Sequence, residues 1–230
     1  MTPVLHASAL VKTYGPTIAL AGVDLTIRRG ESVAVMGASG SGKTTLLHAL
    51  AGITAPDSGV VTFSPASGGT VDVTALNETQ RTTLRRDSFG FVFQQGLLIP
   101  ELTAIENVAL ALMITGRGRA ESTERAASWL ASLGLSGMEE RRIGELSGGQ
   151  AQRVAIARAQ VTGAEVVFAD EPTGALDSRT STEVMDALLW ATTGQGRTLI
   201  VVTHDADVAS RCSRTVAVRD GRLVTEGASA

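Results

Sequence analysis

Ser32-Val33-Ala34-Val35-Met36, then Gly37-Ala38-Ser39-Gly40-Ser41-Gly42-Lys43-Thr44, then Thr45-Leu46-Leu47-His48-Ala49-Leu50-Ala51 is the stretch whose reading decides the fold. A short apolar run reads as a buried strand, the last segment reads as a helix, and the eight residues between them match GxxxxGK[ST] in full. Strand, glycine loop and helix in that order are the context a phosphate loop needs. The glycines let backbone N–H groups wrap phosphate oxygens. Lys43 reaches the outer phosphates, the Thr44 hydroxyl can ligate magnesium, and Thr45 follows at the helix start. With 25 glycines in the chain, chance alone would produce such a match in roughly four of a thousand similar chains, before the flanks are counted.

Of 20 basic residues, only Lys12 and Lys43 are lysines. A chain that writes arginine nearly everywhere keeps lysine where a compact point charge on a flexible stem is wanted. About a hundred residues downstream lies Leu146-Ser147-Gly148-Gly149-Gln150, followed by helix formers from Ala151 to Ala159. Ser147 can cap that helix, and Gly148 and Gly149 can turn backbone amides toward an anion, which the macrodipole favours at a helix N-terminus.

At 230 residues, 43% hydrophobic and 19% charged, the chain is long enough for a substantial core. A net charge of −3 gives no sign of a nucleic-acid partner. The single cysteine, Cys212, excludes an internal disulfide and fits a reducing compartment. The best candidate for a membrane span, Ala104 to Ile114, contains Glu106 and Asn107 and falls short of the ~20 apolar residues required. Ala7-Ser8-Ala9 imitates a signal-peptidase site without a basic region before it. These features predict a cytoplasmic protein that meets the membrane only through a partner.

Along the chain, strands are expected at Val4–Val11 and Val23–Ile27 around a Tyr14-Gly15-Pro16 turn, at Val60–Phe63 and Val71–Val73 around small residues, and at Phe89–Phe93. Helical periodicity runs from Thr103 to Ile114, from Glu121 to Leu133, and after Gln150. Strands return at Glu165–Ala169 and Thr198–Val202, with a helix near Ser181–Ala191 between them. Asp220-Gly221 between two alternating runs marks a hairpin. The result is a parallel α/β core carrying a helical insertion.

Asp170 and Glu171 end the apolar run Val166–Ala169. Ligands of open α/β sheets bind at the carboxyl ends of strands, which places both acids beside the phosphate loop. Asp170 suits a hydrated magnesium, and Glu171 suits polarising an attacking water. His204 follows the next strand and reads as a γ-phosphate sensor or as a surface histidine. Gln94 ends a strand where an amide can reach magnesium or the water. Tyr14, the only tyrosine, stacks on an adenine or fills a half-buried core position. The apolar run Gly96-Leu97-Leu98-Ile99-Pro100 reads as a mobile hinge with an apolar groove, open to a short helix of a membrane partner.

In order and spacing, Tyr14, the loop Gly37–Thr44, Gln94, Leu146–Gln150, Val166–Glu171, Ala175-Leu176-Asp177 and His204 resemble the nucleotide-binding domain of ATP-binding-cassette (ABC) transporters. The resemblance covers essentially the whole chain. It implies an α/β P-loop NTPase core with an antiparallel β subdomain, formed by residues 1–94 and 162–230, and an inserted helical subdomain at 95–161. It also implies ATP and magnesium as ligands, and a head-to-tail homodimer. Each ATP would lie between the phosphate loop of one copy and Ser147, Gly148, Gly149 and Gln150 of the other, with Asp177 bridging the sites. Phe91 to Gln95, Leu97 to Val108 and Ala169 to Ser178 look like the lipoprotein-releasing and macrolide-efflux members. Ala151, where a second Gln is usual, and Gln160, where Leu is common, depart from that pattern.

The expected function is therefore the ATPase subunit that drives a membrane permease, in export or mechanical work. An importer ATPase is an alternative, as is a non-transport ABC ATPase acting as a regulatory or binding module. DNA-repair relatives need a coiled coil between the phosphate loop and LSGGQ, for which the intervening residues leave no room. Translation-associated relatives carry two cassettes, and this chain shows one.

Overall fold

The computed structural model describes residues 3–94 and 96–224. Gln95, grouped above with the strand end at Gln94, lies outside the described residues. In chain order the strands are β1 (Pro3–Tyr14), β2 (Thr17–Arg28), β3 (Ser32–Met36), β4 (Ser58–Phe63), β5 (Val71–Asp72), β6 (Phe89–Phe93), β7 (Val166–Asp170), β8 (Thr198–Val202), β9 (Arg214–Arg219) and β10 (Arg222–Val224). The helices are α1 (Lys43–Leu50), α2 (Glu78–Ser88), α3 (Ala104–Ile114), α4 (Arg119–Ser132), α5 (Gly148–Gln160), α6 (Ser178–Ala191) and α7 (Ala206–Ser210). The chain forms two compact units, Met1–Arg85 with Thr198–Ala230, and Arg86–Arg197.

In the first unit, β2-β1-β4-β5 make an antiparallel sheet. Along β2, Val23, Leu25 and Ile27 are buried in alternation, the mark of a sheet with one wet face. The β1 strand bulges at Ala9, whose φ is +49° and whose N–H donates to Asp24 Oδ1 at 2.8 Å. Gly59 faces this bulge so closely that a Cβ there would lie 2.5 Å from Ala9 O. The same unit holds β10-β9-β3-β8. Here β3 runs parallel to both β8 and β9, while β9 and β10 form the expected Asp-Gly hairpin, with positive φ at Asp220 (+49°) and Gly221 (+72°). Val33–Val35 and all of β8 are buried, so these strands read as unbroken apolar runs.

In the second unit, β6 and β7 pair in parallel, and α5 packs against α3, α4, α6 and β6. Phe168 anchors the pair, with Phe89 edge-on at 5.2 Å and Phe91 stacked at 5.6 Å. Helix α3 begins with a capping box in which Thr103 and Glu106 exchange hydrogen bonds. Trp129 of α4 and Trp190 of α6 meet edge-to-face at 6.2 Å.

Two helices have no counterpart in the sequence reading. None of the residues of α2 is buried, so no apolar stripe announces it. Glu78 instead pairs with Arg81 and Arg85, and Arg85 donates to Gly52 O at 2.6 Å. The other, α7, is five residues long and starts on an Asp205 side-chain cap.

Helix α5 lies so close to β6 that a Cβ on Gly90 would collide with Ala159 O and come within 3.2 Å of Ala159 Cβ. Gly90→Ala should therefore destabilise the protein by about 1–3 kcal/mol, the usual cost of overpacking. Gly144→Ala, where the added methyl meets nothing within 4 Å, should stay within about 0.5 kcal/mol of wild type. Urea denaturation of both variants checks the contrast, and equal midpoints would contradict it.

Candidate functional site

In the first unit the chain leaves β3 at Met36 and turns through three glycines with positive φ, Gly37 (+154°), Gly40 (+78°) and Gly42 (+105°). Two of them are required by contact as well as by conformation. A Cβ on Gly37 would collide with Val218 O, and one on Gly42 with Ala19 O. The loop closes through Ser41 N donating to Ala38 O at 3.2 Å and Gly221 N donating to Ser41 O at 3.0 Å. Helix α1 starts at Lys43, and its N-cap Gly42 offers no side-chain cap.

Lys43 is buried at 8% exposure, and its Nζ donates to Gly37 O and Ala38 O, each at 2.8 Å. The Ser41 hydroxyl is buried and bonds to no group among the described residues. An uncapped helix start, a buried ammonium and an orphan hydroxyl together fit a phosphate chain. Ala38, Ser39, Gly40 and Thr44 are exposed, while Thr45 is half-buried.

The parallel pairing Val35↔Val202 brings the carboxyl ends of β3 and β8 side by side. Thr203 N donates to Val35 O at 3.1 Å, and the next residue, His204, stands exposed at the edge where the loop begins. Tyr14, at the end of β1, is 51% exposed, which decides against a core position. Lys12 Nζ lies over its ring, 5.5 Å from the centroid. Cys212 is half-buried, and burial pushes its thiol up to about 11, leaving it unreactive at neutral pH.

In the second unit the pairing Phe93↔Asp170 puts Gln94, Asp170 and Glu171 at one strand edge. Glu171 has φ +47°, an uncommon conformation for a residue with a side chain, of the kind that collects at functional sites. The Gln94 amide lies over Gly174, where a Cβ would come 3.0 Å from Nε2. Asp177 caps α6, accepting from Thr180 N at 3.0 Å and from Thr180 Oγ1 at 2.7 Å. The Thr180 amide, then its hydroxyl, hold the Asp177 carboxyl below its ordinary value.

Ser147 and Gln150 form a capping box at the start of α5, with Gln150 N donating to Ser147 Oγ at 3.3 Å and Ser147 N to Gln150 Oε1 at 2.9 Å. Gly149 lies against α6 and Gly148 against Leu176, just before that helix. A Cβ on Gly148 would come 2.9 Å from Leu176 Cδ2, and one on Gly149 would collide with Thr180 Cγ2. Both glycines serve packing, with Gly148 exposed and Gly149 buried.

The run Gly96–Pro100 is not the loose hinge expected from its glycine and proline. Gly96 is buried, and Arg158 of α5 donates to Gly96 O at 2.6 Å and Leu97 O at 2.7 Å. Gln152 Nε2 donates to Phe93 O at 2.9 Å. Asn107, 1% exposed, accepts from Ile99 N and donates to Ile99 O, Leu102 O and Thr103 O. The backbone is pinned, while Leu97 (60%) and Ile99 (39%) remain exposed. Along α3 a cavity of about 320 Å³ is lined by Leu102, Ile105, Ala109, Leu110 and Met113 and by the polar Glu106, Arg119, Thr123 and Glu140. Sequence reasoning passed over Gln152, Arg158 and Asn107 because their partners are backbone carbonyls and an amide, which leave no residue pattern.

Comparison with known proteins agrees with this arrangement. The ABC transporter family profile matches residues 20–174. The chain is 45% identical over 231 residues to the macrolide export ATP-binding/permease protein MacB of Nitrosomonas europaea, covering 98% of this chain and 34% of that protein. It is 44% identical over 232 residues to the pyoverdine export ATP-binding/permease protein PvdT of Pseudomonas aeruginosa, covering 99% and 34%. It thus spans about a third of the length of the curated relatives it matches. Among solved structures, the ATP-binding cassette MJ0796, a dimer in a post-hydrolysis state bound to ADP and Pi, superposes with a TM-score of 0.85 at 39% identity, covering 97% of both chains. With the P-loop fold, the uncapped phosphate loop and these matches in hand, the chain belongs to the ABC transporter family.

Proposed function

We propose that this chain binds and hydrolyses ATP as the cassette of an export-type transporter. The observation that carries the reading is the phosphate loop, with its buried Lys43 ammonium, orphan Ser41 hydroxyl and two glycines that no side chain can replace. On nucleotide binding Lys43 exchanges the carbonyls of Gly37 and Ala38 for β- and γ-phosphate oxygens, and the amides from Gly37 to Thr45 take the remaining negative charge. Tyr14 offers an exposed ring to the adenine, and His204 senses the γ-phosphate. Glu171 polarises the attacking water, and Gln94 orients it.

Magnesium, when bound, neutralises charge on the phosphates, and Thr44, Gln94 and Asp170 are the residues proposed to hold it. Among the described residues no three His, Cys, Asp or Glu side chains gather as a metal site. Ser147, Gly148, Gly149 and Gln150 serve the nucleotide of a second copy in a head-to-tail homodimer, and Asp177 bridges the two sites while capping its own helix. Dimeric cassettes among the structural neighbours support this reading.

Export is supported by relatives named as macrolide, pyoverdine and syringafactin export ATP-binding/permease proteins, at 43–46% identity. No helix of the described residues is long and apolar enough to cross a membrane. The relatives named as ATP-binding/permease proteins support a permease domain that supplies the passage and holds the cassette at the inner membrane face. Its contact is proposed at the segment bearing Leu97, Leu98 and Ile99.

Lys43→Ala should lower ATP affinity sharply in titration calorimetry and abolish turnover, and unchanged affinity with normal turnover would sink the phosphate-loop assignment. Glu171→Gln should keep ATP binding while slowing hydrolysis by about 10²–10⁴, and should accumulate an ATP-dependent dimer on size exclusion. A monomer hydrolysing at the wild-type rate would remove Glu171 from the role of base. Leu98→Asp should retain the ATPase of the isolated cassette while losing co-purification with the permease.

A further inference from the structure

Lys12 is the other of the two lysines, and the phosphate chemistry makes no use of it. Its ammonium donates to Asp57 Oδ1 at 2.8 Å while lying over one face of the Tyr14 ring. Asp57 stands just before β4 and grips the end of β1 at several points. Its Oδ2 accepts from Thr13 N and from Thr13 Oγ1, both at 2.7 Å, and its own N–H donates to Val11 O at 2.8 Å. Four consecutive residues, Val11 to Tyr14, are thus held by one aspartate directly or through Lys12.

The gripped segment faces a break in strand register. Lys12 pairs with Leu20 and Thr13 with Ile18, which leaves Ala19 as the extra residue on β2. The Ala19 carbonyl is the atom with which a Cβ on Gly42 of the phosphate loop would collide. Tyr14 and the phosphate loop are therefore connected through a short, rigid path: the loop rests on the β2 bulge, and Asp57 locks the β1 residues opposite it.

We propose that Asp57 and Lys12 are positioning residues that hold the Tyr14 ring at a set distance from the phosphate loop, and so make binding depend on an adenine base as well as on phosphates. The inference rests on the proposed nucleotide reading and adds two residues to it. Lys12 covers one ring face, leaving the other for a base, and a cation on the far face immobilises the ring through its quadrupole. A half-exposed tyrosine at a hairpin tip would otherwise sample several rotamers, and ordering it would be charged against each binding event. Lys12 first, then the Thr13 hydroxyl and amide, hold the Asp57 carboxyl down at about 2. A depressed carboxylate adds its stabilisation above its ordinary value of 3.8 and loses it as pH falls toward about 2, so the clamp is intact at neutral pH.

The test compares magnesium ATP with magnesium tripolyphosphate, which carries the phosphates and no base. In calorimetry of the folded chain, Asp57→Ala and Lys12→Met should each weaken ATP by roughly five- to tenfold, a fraction of the worth of base–aromatic stacking. Tripolyphosphate affinity should move less than twofold, and KM for ATP should rise by more than kcat falls. Asp57→Glu should recover part of the loss. In a Tyr14→Ala background, Asp57→Ala should add less than twofold, because the clamp acts through the ring. Equal weakening of ATP and tripolyphosphate would assign the pair to loop stability and overturn the proposal, as would unaltered ATP affinity in Lys12→Met, a variant that keeps the bonds of Asp57 to Thr13. Failure of the wild type to bind either compound would overturn the nucleotide reading itself, a separate result.

Discussion

An ammonium group cannot be left buried without acceptors, and in the first unit the loop after β3 is shaped around that requirement. Lys43 finds its acceptors in the carbonyls of Gly37 and Ala38, which obliges the chain to curl back over the start of α1. The curl needs positive φ at Gly37, Gly40 and Gly42 and leaves no room beside two of them. Around it, Ala19 of β2 and Val218 of β9 close in as backbone walls, and Gly221 bridges them by donating to Ser41 O and accepting from Ala21 N. The antiparallel sheet and the terminal hairpin therefore shape the loop as directly as the strand that leads into it.

The second unit depends on α5. Its first turn is closed by the Ser147–Gln150 box, and its last turn carries Arg158, whose guanidinium pins the segment after β6. A helix of 13 residues is a stiff rod about 20 Å long, so these two ends move together. Gln152 adds a third tie at Phe93, immediately before Gln94. Asn107 saturates the same segment from α3. What composition presented as a hinge is a surface whose backbone is fixed and whose leucine and isoleucine side chains face outward.

Much of the fold was legible because its signals are local. The buried strands showed as apolar runs, α3 as a periodic segment, α5 as helix formers behind a capping serine, and β9–β10 through a dipeptide whose two residues tolerate positive φ. Helix α2 was not legible, since it is held by Glu78, Arg81 and Arg85 and shows no apolar face. Tyr14 stood between two readings in the sequence, and only its exposure in the fold and the cation over its ring separated them.

By itself, the sequence determined the phosphate loop, the strand ends that carry Gln94, Asp170 and His204, the capped start at Ser147, and the family to which they belong. All are set by short-range backbone chemistry, where spacing along the chain is spacing in space. The tertiary structure alone decided which groups meet across long separations: Asp57 with Lys12 and Thr13, Arg158 with Gly96 and Leu97, Val218 and Ala19 with the glycines. It also decided that Glu171 sits in an uncommon conformation. Apart from the bonds of Asp57 to the Lys12 ammonium and the Thr13 hydroxyl, those contacts are hydrogen bonds to backbone atoms or close approaches between backbones, and every residue carries the same backbone atoms. No arrangement of side-chain letters along the chain can announce them.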